Sequence, residues 1–273
     1  MTLEAVRRWW KNVNRKPAVL ALHGFIGCGR DFEPVIEKTT GEISWWTLDL
    51  PGHGVSHIKP PYRLETFLEQ IEQARALVVE ETGERPILLG YSMGGRLALH
   101  AAARAPEHWR ALITIGATPG IDDETERATR LQADAERAQR MRGQSIDAFL
   151  AEWASEPIIQ SQENIPRAIR EAMLERRRQN APHPLAEALE ALSPGALPSL
   201  WGELNRLALP CLFVAGENDP KFSAIAERMA TAVPNAHAEI IPEAGHCAHL
   251  EKSWPCTSKL IRFIDDLPQT GDA

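Results

Sequence analysis

Long apolar runs are absent from this sequence of 273 residues, although 44% of the residues are hydrophobic. No run approaches the ~20 residues that a membrane-spanning helix needs. Residues 1–16 contain arginine and tryptophan but no continuous apolar segment of the kind found in a secretory signal. The sequence therefore predicts a protein that neither spans a membrane nor is secreted.

Cysteine is scarce, and its spacing excludes two further classes of protein. The four cysteines show neither metal-type spacing nor the density of a disulfide framework. They are Cys28, Cys211, Cys247 and Cys256. The pattern predicts a reduced protein of the cytoplasm.

An excess of positive charge and the usual cofactor motifs are missing as well. The formal net charge is −7, which argues against nucleic acid as a partner but leaves room for a local basic pocket. The sequence has no Gly-x-Gly-x-x-Gly fingerprint, no phosphate loop and no clustered metal ligands. We therefore expect no cofactor and no metal. Nothing in the sequence indicates an oligomeric state.

What the sequence does have is an alternation of strand and helix patterns, which is typical of a parallel sheet with helices on both faces. Apolar runs predict strands over 18–22, 43–48 and 111–115, one beginning at Ile87, and two more over 209–215 and 236–241. Helical patterns cover 2–12, 31–38, 64–82 and 254–267, and another helix follows Gly95.

The alternation stops between residues 122 and 192, where no strand pattern occurs and Ala, Glu, Arg and Gln dominate. Several helices in this stretch would form a cap inserted after the strand that ends near residue 116. The predicted organisation is a core of residues 1–120 and 201–273 with a helical cap of residues 121–200.

A Gly-x-Ser-x-Gly turn around Ser92 links the Ile87 strand to the helix that follows it. In a nucleophile elbow the serine lies on a strained turn, so that small residues are needed two positions away on each side. Gly90 and Gly94 meet that need. The helix N-terminus then directs free N–H groups toward whatever Ser92 contacts.

Two other candidate residues follow later strands. Asp219 and His246 come, like Ser92, at the carboxyl end of a predicted strand, where catalytic groups of open α/β sheets collect. A serine needs a base to take its proton, and the imidazole needs a carboxylate to hold its tautomer. The order Ser, Asp, His is that of α/β-hydrolases, so these residues are the predicted catalytic triad.

The first strand runs into His23-Gly24-Phe25, which would bring the Phe25 N–H beside that of Met93. Two such donors form an oxyanion hole where negative charge develops. His249, three residues after His246, is expected to give structural support rather than act as a second base.

These motifs, with Asp49-Leu50-Pro51-Gly52-His53-Gly54 and Gly245-His246, are similar to those of the α/β-hydrolase superfamily. Three stretches are more specific: 90–96, 216–222 and 245–249 resemble the 2-succinyl-6-hydroxy-2,4-cyclohexadiene-1-carboxylate synthases of menaquinone biosynthesis. The resemblance extends over about residues 18–265, including the cap.

The resemblance implies the α/β-hydrolase fold and a lyase that uses hydrolase machinery. The reaction would eliminate pyruvate from 2-succinyl-5-enolpyruvyl-6-hydroxy-3-cyclohexene-1-carboxylate, with the triad removing a ring proton and no acyl-enzyme. It also implies substrate-binding roles for Arg96, Arg130 and Arg177, and pocket-lining roles for Tyr91 and Trp153. Arginine suits a polycarboxylate substrate, because its guanidinium binds carboxylates with two parallel hydrogen bonds.

Several other arginines compete for these roles: Arg127, Arg137, Arg140, Arg170, Arg176 and Arg178. The chain also departs from the family at its N-terminus, where a helical pattern replaces the usual two-stranded hairpin, so that the sheet is expected to lack an edge. The stretch Pro182-His183-Pro184 also fits the family pattern unevenly.

Two other functions remain open at this point. One is a serine hydrolase that cleaves esters or carbon–carbon bonds of an acidic substrate. The other is a non-catalytic receptor on the same fold, which the intact Ser92, Asp219 and His246 disfavour.

Overall fold

The computed structural model describes residues 5–9, 17–39 and 41–268, and a seven-stranded sheet lies at the centre of this part of the chain. The strands are β1 (Val6–Arg8), β2 (Ala18–Leu22), β3 (Ser44–Leu48), β4 (Ile87–Tyr91), β5 (Ala111–Ile115), β6 (Cys211–Gly216) and β7 (Ala236–Ile241). Their order across the sheet is β1-β3-β2-β4-β5-β6-β7. All neighbours pair in parallel except β1 and β3.

Helices connect the strands. The longer ones in the core are α2 (Leu64–Thr82), α3 (Met93–Arg104), α9 (Pro220–Ala232) and α11 (Ser253–Asp265), with short helices α1 (Glu33–Ile36) and α10 (Ala248–Glu251). Between β5 and β6 lie α4 (Glu124–Arg142), α5 (Ile146–Ala154), α6 (Pro157–Gln160), α7 (Arg167–Arg178) and α8 (Pro182–Ala191).

The five central strands, β2 to β6, are buried at every residue. Their alternate side chains divide between two apolar clusters, one on each face of the sheet. Continuous apolar runs are expected when helices cover both faces of a parallel sheet. The predicted α/β-hydrolase architecture, a mostly parallel sheet with helices on both faces, is therefore confirmed.

The prediction of a helix over residues 2–12 is wrong. Within the described residues, Val6–Arg8 form β1, which pairs antiparallel with Trp46, Thr47 and Leu48 of β3. The sheet thus has the edge strand that it was expected to lack. The rest of that segment, 2–4 and 10–12, lies outside the described residues.

The helix predicted over residues 31–38 is also broken into shorter pieces. Only α1 is α-helical, and a 3-10 turn lies on each side of it, at Gly29–Phe32 and Glu37–Thr39. No other strand or helix prediction is overturned, although several bounds shift by one or two residues.

We call α4 to α8, residues 124–191, the helical insertion. It has its own apolar cluster, which includes Met141, Phe149 and Leu185 together with Ile26 from the loop after β2. Buried Asn180 fastens it to the core, because its amide donates to the Ile26 carbonyl at 2.8 Å and accepts the Gly54 N–H at 2.9 Å. The insertion therefore sits over the loops at the carboxyl ends of β2 and β3.

The stretch 182–184, which fits the family pattern unevenly, forms the first turn of α8, and proline is well tolerated at that position. Among the described helices, none has the length and apolar character needed to cross a bilayer.

Candidate active site

Ser92 occupies a strained turn between β4 and α3. Its backbone has φ 49° and ψ −108°, a conformation that residues with a side chain rarely adopt. A Cβ on Gly90 would collide with the Gly94 carbonyl, and one on Gly94 would collide with the Leu22 carbonyl. The glycines on both sides of Ser92 are therefore needed for this turn, in which the hydroxyl contacts His246 and lines a cavity.

The structure brings Ser92, Asp219 and His246 into one hydrogen-bonded chain. His246 Nε2 lies 3.0 Å from Ser92 Oγ, and His246 Nδ1 lies 2.7 Å from Asp219 Oδ2. Because the carboxylate accepts a hydrogen bond from Nδ1–H, Nε2 is left free to accept the serine proton. His246 is 4% exposed, so its imidazole is largely shielded from water.

Gly116, directly after β5, provides the space that the imidazole needs. Its φ of +57° favours glycine, and a Cβ there would lie 3.0 Å from His246 Cε1. On the other side, the Phe222 ring packs edge-on against the imidazole at 4.6 Å between centroids. The imidazole is therefore held between a glycine and an aromatic ring.

The two predicted oxyanion donors, Phe25 and Met93, both line the cavity that contains Ser92. Met93 is the first residue of α3, where an N–H has no acceptor within its own helix. His23 holds the backbone next to Phe25. Its Nδ1–H donates to the Gly24 carbonyl at 2.7 Å, and its Nε2 accepts the Leu50 N–H at 3.0 Å. Burial lowers the pKa of His23, which favours this neutral form.

A cavity of about 460 Å³ lies between the helical insertion and the triad. It is lined by five cationic side chains and one carboxylate, Glu156, although the whole chain is acidic. The cations are Arg96, Arg130, Arg137, Arg177 and Lys221. Such a surface favours a substrate with several negative charges.

Arg96 stands one helical turn past Ser92 and reaches this cavity. Its Nη2 donates to the Leu192 carbonyl at 3.0 Å, and its buried Nε has no partner among the described residues. Burial, together with the nearby charge of Arg130, lowers the pKa of Arg96 to about 10. A buried guanidinium in these surroundings is well placed to gain a carboxylate partner.

Arg130 and Arg137 share a carboxylate on α4. Arg130 Nε donates to Asp134 Oδ2 at 2.7 Å, and Arg137 Nη1 lies 3.5 Å from Asp134 Oδ1. Asp134 is fully buried, and Arg137 also pairs with Glu156. The carboxylate fixes the direction of both arginines along one wall of the cavity.

Arg177 approaches from α7 and is 7% exposed. Its Nη1 donates to Gln162 Oε1 at 3.0 Å, and its Nε is buried without a partner among the described residues. Trp153 lies on the same side, with its ring edge-on to Phe25 at 5.5 Å and the Arg137 guanidinium 5.5 Å from its centroid.

Tyr91 completes the set of predicted cavity residues, and its ring lies 5.6 Å from that of His246. All ten predicted site residues thus line this cavity except Asp219, which stands behind His246. His249 is buried and packs against Phe32 and Tyr91, and burial lowers its pKa to about 3. The packing agrees with the structural support that we expected of His249.

Sequence reasoning missed Arg137, Lys221, Phe222 and Glu156 as cavity residues. Of these, Lys221 and Phe222 stand directly after Asp219 and Pro220, so their position at the start of α9 was the available signal. Arg137 was only one of several competitors. Three of the other competitors form ion pairs elsewhere: Arg140 with Glu152, Arg176 with Asp31 and Arg178 with Asp147.

In the described part of the chain, no group of three or more His, Cys, Asp and Glu side chains is arranged to hold a metal ion. The fold and the site together define a protein of the α/β-hydrolase class. Its serine, histidine and aspartate are aligned at the carboxyl ends of the strands.

Comparisons with known proteins agree with this class and narrow it. The alpha/beta hydrolase fold family model matches residues 17–253. A 2-succinyl-6-hydroxy-2,4-cyclohexadiene-1-carboxylate synthase of Salmonella paratyphi C is 36% identical over 248 residues, 91% of this chain and 94% of that protein. The chain therefore belongs to the α/β-hydrolase superfamily and, within it, to the family of these synthases.

Solved structures give the same picture. The structure of MenH from S. aureus aligns with a TM-score of 0.90 and 30% identity, over 96% of this chain and 98% of that one. A thermophilic esterase from Thermogutta terrifontis aligns with a TM-score of 0.81 over 97% of this chain and 94% of its own, but at 21% identity this likeness shows only the fold.

Proposed function

We propose that this protein is a carbon–oxygen lyase that eliminates pyruvate from 2-succinyl-5-enolpyruvyl-6-hydroxy-3-cyclohexene-1-carboxylate, giving 2-succinyl-6-hydroxy-2,4-cyclohexadiene-1-carboxylate for menaquinone biosynthesis. The observation that carries the proposal is the cationic cavity directly above the Ser92–His246–Asp219 chain. The substrate has carboxylates on its ring, its succinyl arm and its enolpyruvyl arm. The name of the Salmonella relative supports the same reaction.

The triad acts as a base in this reaction. Ser92 Oγ accepts the proton from the ring carbon next to the succinyl carbonyl, while its own proton passes to His246 Nε2. Asp219 stabilises the resulting imidazolium. The electron pair released from the carbon–hydrogen bond moves onto the succinyl oxygen, where the N–H groups of Phe25 and Met93 stabilise the negative charge.

Elimination then follows across the ring. The electron pair returns from the succinyl oxygen, the ring double bond shifts, and the carbon–oxygen bond to the enolpyruvyl group breaks. The imidazolium of His246 returns its proton to the departing enolate, which leaves as pyruvate. Atoms and charge balance without water, cofactor or acyl-enzyme.

The arginines determine which substrate is held over the triad. Arg96 lies closest to Ser92 along the chain, whereas Arg130 and Arg177 come from the helical insertion. We assign all three to substrate carboxylates, with Tyr91 and Trp153 as aromatic walls. Each guanidinium offers a planar pair of donors that matches a carboxylate.

The helical insertion, within residues 121–200, serves as a cap over the core of residues 1–120 and 201–273 in this proposal. It supplies one wall of the cavity and keeps water from the reacting enolate. We place the reaction in the cytoplasm, where the four cysteines, all of them free thiols, would remain reduced.

The experiment that tests the proposal measures pyruvate release from the enolpyruvyl cyclohexene, beside hydrolysis of a panel of p-nitrophenyl esters. We expect rapid pyruvate release and at most weak ester turnover, with Ser92→Ala as the inactive control. Strong ester hydrolysis with no pyruvate release would contradict the lyase and favour a serine hydrolase of acidic substrates.

A further inference from the structure

Glu251, on α10, is a buried carboxylate that takes no part in the chemistry proposed above; it is 6% exposed. Its Oε2 accepts the Gly245 N–H at 2.6 Å, and its Oε1 accepts the Cys247 N–H at 3.0 Å. These two residues stand on either side of His246. One carboxylate therefore holds the backbone at both ends of the catalytic histidine.

The same carboxylate also reaches the helical insertion. The hydroxyl of Ser161, in the turn directly after α6, donates to Glu251 Oε1 at 2.8 Å. A Cβ on Gly245 would overlap the Ser161 side chain, so the insertion packs directly against the residue that precedes His246. Glu251 thus contacts both parts of the structure that enclose the cavity.

The alignment of His246 leaves little room for movement. Its ring must keep 3.0 Å to Ser92 Oγ and 2.7 Å to Asp219 Oδ2 at the same time. Hydrogen bonds weaken steeply with misalignment, and a small displacement of a catalytic group lowers the rate markedly. Asp219 orients the ring, but the position of the ring along the loop depends on the backbone that Glu251 holds.

We infer that Glu251 is a positioning residue, which fixes the His246 backbone relative to Ser92 and, through Ser161, ties the placement of the helical insertion to the triad. The inference rests on the proposed role of His246 as the base for Ser92. It does not depend on the identity of the substrate.

Glu251→Gln tests this directly. Both carboxylate oxygens accept backbone N–H groups, whereas the glutamine amide has one acceptor and one donor. One of the two N–H groups would then face a donor. The matched control is Glu243→Gln, which makes the same chemical change at an exposed residue that pairs with Lys252 and lies three positions before His246.

The main measurement is the rate at which phenylmethylsulfonyl fluoride labels Ser92. Ser92 Oγ bonds to sulfur, fluoride leaves, and the serine proton goes to His246, so the rate reports the alignment of the pair.

We expect Glu251→Gln to label about tenfold more slowly, since a hydrogen bond to a charged group is lost. Ser161→Ala removes one hydrogen bond to the carboxylate but keeps both backbone contacts, so it should label only about two- to threefold more slowly. Glu243→Gln should label at the wild-type rate.

Two further readouts separate positioning from simple stabilisation. The proton resonance of His246 Nδ1–H, bonded to Asp219, should shift in Glu251→Gln and remain unchanged in Glu243→Gln. Glu251→Asp keeps the charge but is one methylene shorter, so it should restore part of the labelling rate.

A Glu251→Gln variant that melts earlier yet labels at the wild-type rate, with an unmoved resonance, would overturn the inference. If that variant does not fold, wild-type labelling in both Glu251→Asp and Ser161→Ala would overturn it. Failure of the proposed function gives a different result: no pyruvate is released, while the labelling differences remain.

Discussion

At the scale of single residues, Ser92 combines a strained backbone with a hydroxyl that contacts His246. Its side chain lines the cavity. His246 then contacts Ser92 and Asp219 simultaneously. Residues that work as one unit lose activity non-additively when they are removed.

We therefore expect Ser92→Ala to remove most of the pyruvate-releasing activity while leaving the melting temperature within a few degrees of wild type. His246→Ala should cost about as much, and the double variant little more than either. Steady-state kinetics of the three variants provides the measurement. Multiplicative losses in the double variant would contradict the assignment of the two residues to one catalytic unit.

Arg96 carries the clearest prediction about the substrate. It is not among the ion pairs of the described residues, and its one side-chain hydrogen bond there goes to the Leu192 carbonyl. Arg96→Ala should lower kcat/KM for the cyclohexene by about ten- to a hundredfold, or ~1.5–3 kcal/mol, because a charge-assisted contact is lost. Arg96→Lys should recover only part of this, since it loses the two-donor fork.

A thermal melt checks that both Arg96 variants fold. Wild-type kcat/KM in Arg96→Ala would remove the main support at residue level for a polycarboxylate substrate.

At the scale of elements, the local sequence was enough to predict β2 to β7 but not the edge strand β1. β2 to β6 were predictable because burial on both faces requires a continuous apolar run. β1 was not, because three residues with mixed polarity become a strand only through their pairing with Trp46, Thr47 and Leu48. That pairing partner lies about 40 positions further along the chain, and no local pattern records it.

In the site, too, some features could be predicted from the sequence and others could not. The triad could be predicted because each member follows a strand, and the parallel sheet brings those ends together. The roles of the insertion arginines could not be separated from sequence alone, since spacing along α4 does not tell Arg130 and Arg137 from their neighbours. In the structure, the buried carboxylate of Asp134 binds both side chains and holds them along one wall of the cavity.

Asp134→Asn should therefore impair substrate binding although Asp134 does not line the cavity. Without the charge, Arg130 and Arg137 lose their common anchor, and we expect KM to rise roughly fivefold, about 1 kcal/mol, with a smaller change in kcat. Glu190→Gln is the matched control, because Glu190 pairs with Arg142 on the outside of α4. Equal KM values in the two variants would show that Asp134 serves only the stability of the insertion.

At the scale of the whole molecule, buried histidines make the fold sensitive to acid, and besides His23 three others have a lowered pKa. Burial lowers the pKa of His53 to about 3, that of His100 to about 4 and that of His249 to about 3, from an ordinary value of 6.5. The unfolded chain binds protons at these positions below about pH 6.5, whereas the folded chain binds them only near pH 4 and 3. The stability that their neutral forms contribute is present above pH 6.5 and is lost as the pH falls.

The free energy of unfolding should thus decrease by about 1.4 kcal/mol per pH unit for each histidine that is protonated only in the unfolded chain.

Urea unfolding at several pH values between 4 and 6.5 measures this slope for the wild type and for His249→Phe. His249 lies between the rings of Phe32 and Tyr91, so that phenylalanine keeps the packing but cannot bind a proton. Carboxylates titrate alike in both proteins, and the difference in slope isolates one histidine. Because the variant lacks that group, its free energy of unfolding should decrease less steeply as the pH falls. The difference between the two slopes should correspond to one proton, about 1.4 kcal/mol per pH unit. Identical slopes would mean that His249 is not held neutral by burial, and the acid sensitivity of the fold would then have to come from other groups.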